Sequence, residues 1–529
     1  MPDPAAGPAT DVVVVGAGPV GLMLAGELRL GGARVVVLER RAAPSAESRA
    51  STLHARTMEI LDERGLLGVL GTPPNEPRGH FGGLPLDFGG LPSPFPGQWK
   101  VPQPRTEALL RSWATGLGAD LWQDHELTGL AESNDGVEAY ARGPSGRVCV
   151  RASYLVGCDG EDSTVRELAG FAFPGRAAAR ELLRADVRGV RVRDRRFERT
   201  SAGMAVAATR DGLTRVMAHE FGRPPVPRAG APSFAEVAAV WARVTGEDIG
   251  GGTPVWVNAF DDACRQVSSY RRGRVLLAGD AAHRQLPAGG QALNLGLQDA
   301  WNLGWRLAAR VRGDGGDELL DGYHEERHAV GARVLTNVQA QALLLLGDGE
   351  TDPLRAVLGE LLAHGDARRR LAETISGLDV RYPVGDGPLT GARLPHCPVI
   401  TDQGAVSTAA LLRPARGLLL DLSGRGAFRA AAADWAGRVP YVIALADRTG
   451  PLAGLGGLLA RPDGHVVWTG SGTADPAGLR AALHRWYGAP APDRPHRKDN
   501  GSAQVHRQDS PGHRVEQGHR TGGGRTAGR

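Results

Sequence analysis

Val12 to Val15 is an unbroken run of β-branched residues that ends in Gly16-Ala17-Gly18-Pro19-Val20-Gly21. Such a run reads as a strand buried on both faces of a parallel sheet. Helix-spaced Leu22, Ala25 and Leu28, then Leu30, lead to Gly31-Gly32, after which Arg34 to Leu38 repeats the strand pattern and closes in Glu39. This order of strand, glycine turn, helix and strand commits the start of the chain to a doubly wound α/β fold. Each glycine has its own duty there. Gly16 permits the sharp bend, Gly18 lets backbone approach a pyrophosphate, and Gly21 lets the helix sit against the strand. The helix N-terminus adds free N–H groups and a positive dipole. Glu39 is placed to accept both ribose hydroxyls of an adenosine and disfavours a 2′-phosphate, so FAD or NAD is expected rather than NADP.

A second constellation narrows the choice. Leu276-Leu-Ala-Gly279-Asp280-Ala-Ala-His283 follows a buried strand, and Pro287-Ala-Gly289-Gly290-Gln291-Ala-Leu-Asn294 precedes a helix. Asp280 at a strand end suits a ribityl hydroxyl, and Gly289-Gly290 leaves room for a flat isoalloxazine ring against backbone. The helix that follows aims its N-terminus at the pyrimidine edge, which becomes anionic on reduction. These features favour flavin. Read without them, the segment is a β–turn–α with a glycine cluster and a salt-bridged aspartate.

At 529 residues the chain is expected to hold two or three domains. Proline and glycine are dense from Gly71 to Pro104, which reads as loops and edge segments. Residues 176 to 270 alternate in stretches such as Arg184 to Val192 and Thr214 to Glu220, the pattern of an antiparallel sheet. Ala292 to Val311 and Leu319 to Leu346 read as long helices, and residues beyond Leu389 as a small separate α/β unit. The expected organisation is a first part of the FAD-binding domain at 1–175, with 72–100 lent to a substrate domain at 176–270. Its second part and the long helices follow at 271–390, then a C-terminal domain at 391–490 and a disordered tail at 491–529.

Charge excludes one class of partner. The net charge is +4, and residues 491–529, with eight basic and four acidic side chains, account for all of it. The body has no basic field to gather a polyanion, so nucleic acid is not expected. Cys149, Cys158, Cys264 and Cys397 show neither CxxC nor zinc spacing, so no metal is expected. MPDPAAGPATD lacks the marks of a signal peptide, and no apolar run approaches the roughly 18 residues of a membrane span. A soluble, cytoplasmic protein is the expectation.

Taken together, these motifs resemble those of the class A FAD-dependent aromatic monooxygenases related to p-hydroxybenzoate and phenol hydroxylases. The likeness is nearest to bacterial hydroxylases of aromatic polyketides of the angucycline and anthracycline kind. It spans residues 11–490 and rests on five ordered segments. These are the Gly16 turn with Glu39, Arg49-Ala-Ser-Thr-Leu-His-Ala-Arg56-Thr57-Met-Glu59, Gln103 within Val-Pro-Gln-Pro-Arg-Thr-Glu107, Cys158-Asp159-Gly160 through Arg166, and Gly279 through Asn302. The resemblance implies a Rossmann-like FAD domain, an interleaved antiparallel-sheet substrate domain and a thioredoxin-like C-terminal domain. By it, Arg40 belongs with Glu39 among the cofactor-binding residues, and Arg49 and Gln103 contact the diphosphate and ribityl region. Asp159 and Gly160 serve both FAD and a transient NAD(P)H. Asp280 binds the ribityl chain, Pro287 lies near the reactive flavin edge, and Gly290, Gln291, Ala292, Leu293 and Asn294 face the pyrimidine. Ala292 departs from the glycine usual in the family, and Arg284-Gln285-Leu286 occupies a variable stretch expected to help line the cavity.

The implied reaction is hydroxylation of an aromatic polyketide intermediate through a flavin C4a-hydroperoxide, with FAD held non-covalently and molecular oxygen consumed. Baeyer–Villiger oxygenation of a polycyclic ketone and a non-catalytic flavin-binding role remain alternatives. No residue is named as a catalytic base; His283 suits a structural role beside Asp280. Arg166 is read as a site residue in preference to a surface ion pair. Phe81, Phe95, Trp99, Met204, Trp241, Trp256 and Phe260 are candidates for the substrate cavity, each equally suited to a core. The C-terminal domain, lacking CxxC, is read as packing or homodimer support.

Overall fold

The computed structural model describes residues 9–44, 50–228, 230–471 and 476–490. Its largest sheet is built on the β-branched runs. Strand Thr10–Val15 lies between Val35–Glu39 and Gly146–Gly157, Val35–Glu39 pairs with Asp120–Gln123, and Gly146–Gly157 with Val275–Leu277, all parallel. Val12, Val13 and Val14 have no exposed surface, as a strand covered on both faces requires. The first half of Gly146–Gly157 leaves this parallel group and pairs antiparallel with Val137–Gly143, which continues to Glu126–Glu132. The long strand therefore delivers its last residue, Gly157, beside the Gly16 turn.

A second sheet is antiparallel throughout, in the order Arg195–Arg199, Gly203–Arg210, Leu213–Glu220, Glu181–Arg188, Thr253–Asp261. Helix Phe234–Thr245 covers one face, with Trp241 fully buried and Val257 and Ala259 packed against the same cluster. Period-two alternation puts Trp256, Asn258 and Phe260 on the other face. Residues 176–270 are thus sheet, as the alternation indicates, with a helix that it does not. A four-stranded sheet near the C-terminus sets Leu418–Asp421 between Tyr441–Ile443, its parallel neighbour, and antiparallel Gly457–Ala460, which Val466–Gly470 follows. The tail at 491–529 lies outside the described residues.

Helices Gln291–Arg312 and Asp317–Leu346 join these parts. The second is long and apolar enough, by length and composition, to cross a membrane, which corrects the expectation that no segment approaches that limit. Its Val330, Val334, Val338, Ala342 and Leu345 are buried with Leu182, Leu286 and Leu295. It is a core helix, and a core helix needs the same composition.

Charge is buried where the C-terminal sheet meets these helices. The Arg461 guanidinium donates to both oxygens of Glu326, at 2.6 and 3.0 Å, and to Asp463 Oδ2 at 2.6 Å. Arg306 also pairs with Glu326 at 2.8 Å, and the Trp301 indole donates to the Asp463 carbonyl at 2.8 Å. Burial alone would raise Glu326; the guanidinium groups of Arg306 and Arg461 override it and hold the carboxyl at about 2. Removing one member strands its partners without water. R461M is expected to cost about 3–5 kcal/mol of unfolding free energy, read by chemical denaturation, while the surface variant R78M changes it by less than about 1 kcal/mol.

Candidate functional site

Parallel strands with their C-terminal ends at one edge put every following loop on that side. The loops after Thr10–Val15, Val35–Glu39, Gly146–Gly157 and Val275–Leu277 accordingly converge on one cavity of about 360 Å³. Of the residues expected at the cofactor, Gly16, Gly18, Glu39, Arg40, Gln103, Asp159, Asp280, Pro287, Ala292 and Leu293 line it. Gly21, Gly289, Gly290, Gln291 and Asn294 do not, and Arg49 lies outside the described residues.

The glycine turn separates two duties. A Cβ at Gly21 would stand 2.0 Å from the Gly16 carbonyl oxygen, so that position is closed by the protein itself. A Cβ at Gly18 would meet no protein atom within 4 Å, because Gly18 faces the cavity. Gly18 also caps helix Pro19–Leu30, whose free N–H groups open on the same space. Glu39 Oε2 accepts from the Ala17 N–H at 2.8 Å and its other oxygen from the Arg41 N–H at 3.0 Å, which fixes the carboxylate at the lip of the turn.

Asp159 does double work. Its carboxylate accepts from the Ser163 hydroxyl at 2.5 Å and the Val165 N–H at 3.1 Å, bracing the start of helix Thr164–Leu168 while the residue lines the cavity. Burial pushes its pKa above the ordinary value. Arg166 is neither a surface ion pair nor a cavity residue. It is buried, donates to the carbonyls of Ala281 and Glu161 at 3.1 and 2.8 Å, and so ties the Asp159 loop to the Asp280 loop.

The Pro287–Asn294 segment is held from beneath. Gly289 and Gly290 have φ of 65° and 69°, a left-handed pair that glycine adopts without strain. His54 Nε2 lies 2.8 Å from the Gly289 carbonyl. Asn294 is saturated by protein: Oδ1 accepts from the His54 N–H and the Thr57 hydroxyl, and Nδ2 donates to the carbonyls of Thr52 and Gly290. Its side chain is committed to this support. Gln291 likewise turns inward, donating to Asn337 at 3.1 Å. Ala292 and Leu293 remain half-buried at the cavity wall, so the Ala292 methyl does face the site.

His283 pairs with Asp299, not with Asp280. Its Nε2 lies 2.8 Å from Asp299 Oδ2, while Arg327 Nε donates to Oδ1 at 2.8 Å and the Gly279 N–H to Oδ2 at 3.2 Å. Among the described residues, no group of three His, Cys, Asp or Glu is placed to hold a metal ion.

A second cavity, of about 640 Å³, shares Glu161, Asp162, Phe260, Arg284, Gln285 and Pro287 with the first. Trp256 and Phe260 are the two candidate aromatics that line these cavities. Phe81, Met204 and Trp241 are buried in packed clusters, and Phe95 and Trp99 pack on the main core. Sequence reasoning missed Glu107 and His125 at the first cavity. Only the i,i+4 spacing of Gln103 and Glu107 hinted at the former; the two side chains hydrogen-bond at 2.8 Å on helix Gln103–Gly116.

Comparison with known proteins agrees with this geometry. Residues 9–338 match the FAD binding domain family and residues 387–490 the family of the aromatic-ring hydroxylase C-terminal domain. The chain is 43% identical over 504 residues to 12-dehydrotetracycline 5-monooxygenase/anhydrotetracycline 6-monooxygenase of Streptomyces rimosus subsp. rimosus, covering 91% of this chain and 99% of that protein. The crystal structure of CabE, an aromatic hydroxylase from angucycline biosynthesis, superposes with a TM-score of 0.87 at 49% identity, covering 91% of this chain and all of that one. Dialkyldecalin synthase of Streptomyces rugosporus is 39% identical, covering 91% of this chain and 99% of its own length. The chain belongs to the FAD-dependent aromatic-ring hydroxylases. It is a flavin-dependent monooxygenase of that family, in which NAD(P)H is the usual reductant.

Two outcomes follow from the geometry. G21A is expected to lower the melting temperature of the flavin-free protein by several degrees, because its methyl meets the Gly16 carbonyl, whereas G18A, which meets no protein atom and changes only the helix cap, lowers it by less. Burial drops the His54 pKa from 6.5 to about 4. An unfolded chain therefore takes up a proton between pH 6.5 and 4 that the folded ring refuses. His54 contributes in full above pH 6.5 and loses up to about 3 kcal/mol as pH falls through 4. Denaturation midpoints across that window are expected to slope less steeply in H54N.

Proposed function

We propose that this enzyme hydroxylates a polycyclic aromatic polyketide. The observation that carries the reading is the pair of joined cavities: one at the C-terminal strand ends, the other walled by Trp256 and Phe260, meeting at Pro287. The open space at Gly18 and the helix N-terminus behind it suit a pyrophosphate, and Glu39 with Arg40 suits an adenosine ribose. Asp280, exposed at the cavity, would take ribityl hydroxyls with Gln103 nearby, and Ala292 and Leu293 would border the pyrimidine edge. FAD bound there would supply reduced flavin that activates oxygen and delivers one oxygen atom to the substrate.

This chain's own residues do the rest. The start of helix Gln291–Arg312 would set its positive dipole end toward a flavin bound in this cavity and favour the negative charge that flavin gains on reduction. Pro287, with no N–H, keeps the junction of the cavities apolar on its ring side. Asp159 and Gly160, on the wall of the first cavity, are read as the meeting point with transient NAD(P)H. Residues 391–490, read as a thioredoxin-like unit without CxxC, hold the long helices through Arg461 and Asp463. The segments 1–175, 176–270 and 271–390 are read as the interleaved FAD and substrate domains.

The relative named as a dialkyldecalin synthase favours a second reading, in which the same scaffold holds flavin while a ring closes with no oxygen consumed. Oxygen uptake separates the two. FAD-loaded enzyme given NADPH, air and a panel of angucyclinones and anthracyclinones is expected to consume oxygen and yield a product heavier by one oxygen atom. Background NADPH oxidation with every phenol defeats the hydroxylase reading. G18A and D280N are each expected to lower flavin occupancy at least about tenfold, one bonded contact being worth roughly that factor, as read from the absorbance of gel-filtered protein.

A further inference from the structure

The two cavities meet at a side chain whose polar atoms the protein leaves without partners. Gln285 lines both cavities, and its Oε1 and Nε2 are buried with no hydrogen-bond partner. Its neighbours are fully employed. Arg284 donates to Asp261 at 2.8 Å and pairs with Glu161 at 3.5 Å, and Leu286 packs in the core beside Leu182 and Leu295. The short strand His283–Arg284 is locked to Cys264–Gln266, so Gln285 leaves a fixed ladder and reaches the cavity from a rigid base. Asn258, between Trp256 and Phe260 on the same strand face, lines the second cavity and has a buried Oδ1 that is also unpartnered.

Buried carboxamides are almost always satisfied, and one left bare is a standing cost to the fold. Two of them in one cavity, one at the junction with the flavin pocket, mark where a ligand's polar atoms belong. Trp256 and Phe260 give that wall an aromatic stretch, beside charged groups that include Glu181, Arg228 and Asp261, and the aromatic stretch suits a flat ring system. We propose that Gln285 is a specificity-determining residue that holds a phenolic hydroxyl of a polycyclic aromatic substrate at the junction of the two cavities. The inference rests on reading the second cavity as the substrate site. A carboxamide suits this task because its oxygen accepts from a phenol and its N–H donates to the phenolate. One side chain thus keeps the ring oxygen in place through loss of the proton that makes the ring electron-rich. Carboxylate or guanidinium would hold only one of the two forms.

The test compares 2-hydroxyanthraquinone with anthraquinone, which differ by the hydroxyl alone, on the full-length FAD-loaded enzyme. Binding is read from perturbation of the flavin spectrum, per bound flavin. Wild type is expected to prefer the hydroxylated quinone by about tenfold, and Q285M, of similar volume, to bind both within about twofold. Q285E, which keeps the side-chain length, is expected to reverse the preference above the phenol's pKa, where carboxylate meets phenolate; it serves alone if Q285M does not fold. A Q285M or Q285E enzyme that keeps the wild-type preference overturns the role of Gln285 alone. Wild type that binds neither quinone overturns the substrate-site reading, and the inference with it.

Discussion

Asp299 has no exposed surface, and both its oxygens are taken. Oδ1 accepts from Arg327 on the next long helix; Oδ2 accepts from the Gly279 backbone and faces His283. Burial would raise this carboxyl, yet the Arg327 charge holds it below its usual value, so it stays an anion in the core. A single buried charge thereby pins the turn that presents Asp280, the strand that precedes Gln285, and the crossing of the two long helices. Directional bonds to an ion buried among apolar groups tolerate little displacement. The cavity keeps its shape because its floor is anchored at this point.

The same logic divides the polar side chains around the site into two sets. Asn294, Asp159, Arg166 and His54 are committed to protein atoms and hold loops at fixed spacing. Gly18 instead faces open space, and Gln285 at the cavity wall carries buried polar atoms that no protein group satisfies. Motif residues fall in both sets, so membership of a motif marks the region of a site and not the job of each side chain. Supporting residues recur in a motif because the loop cannot keep its shape without them.

Much of this was legible in the chain itself. Val12–Val15 and Arg34–Leu38 announce buried parallel strands, and the long helices at 291–312 and 317–346 stand within two residues of their periodic pattern. Helix Phe234–Thr245 was masked because its neighbours alternate, and its single apolar face, centred on Trp241, reads locally like another strand. Helix Gln103–Gly116 was hidden behind Pro102 and Pro104, which suggest loop; Pro104 in fact sits in the first turn, where no N–H is needed. The turn glycines were predictable because local backbone geometry demands them. The inward commitment of Asn294 and the Asp299 partner of His283 were not, since both depend on residues far apart in sequence.

Arg461 stands 135 positions after the Glu326 to which it bonds. A ribosome adding roughly 5–20 residues each second needs on the order of 7–27 s to make that intervening stretch. Glu326 on the apolar helix at 317–346 therefore leaves the ribosome about that long before the layer that seals its charged flank. Arg306, already synthesised, can meet Glu326 first and act as a temporary counter-ion until the last layer docks. Such an order of assembly leaves that helix flank uncovered for a defined spell, and it sets the closing layer as the step that ends this exposure.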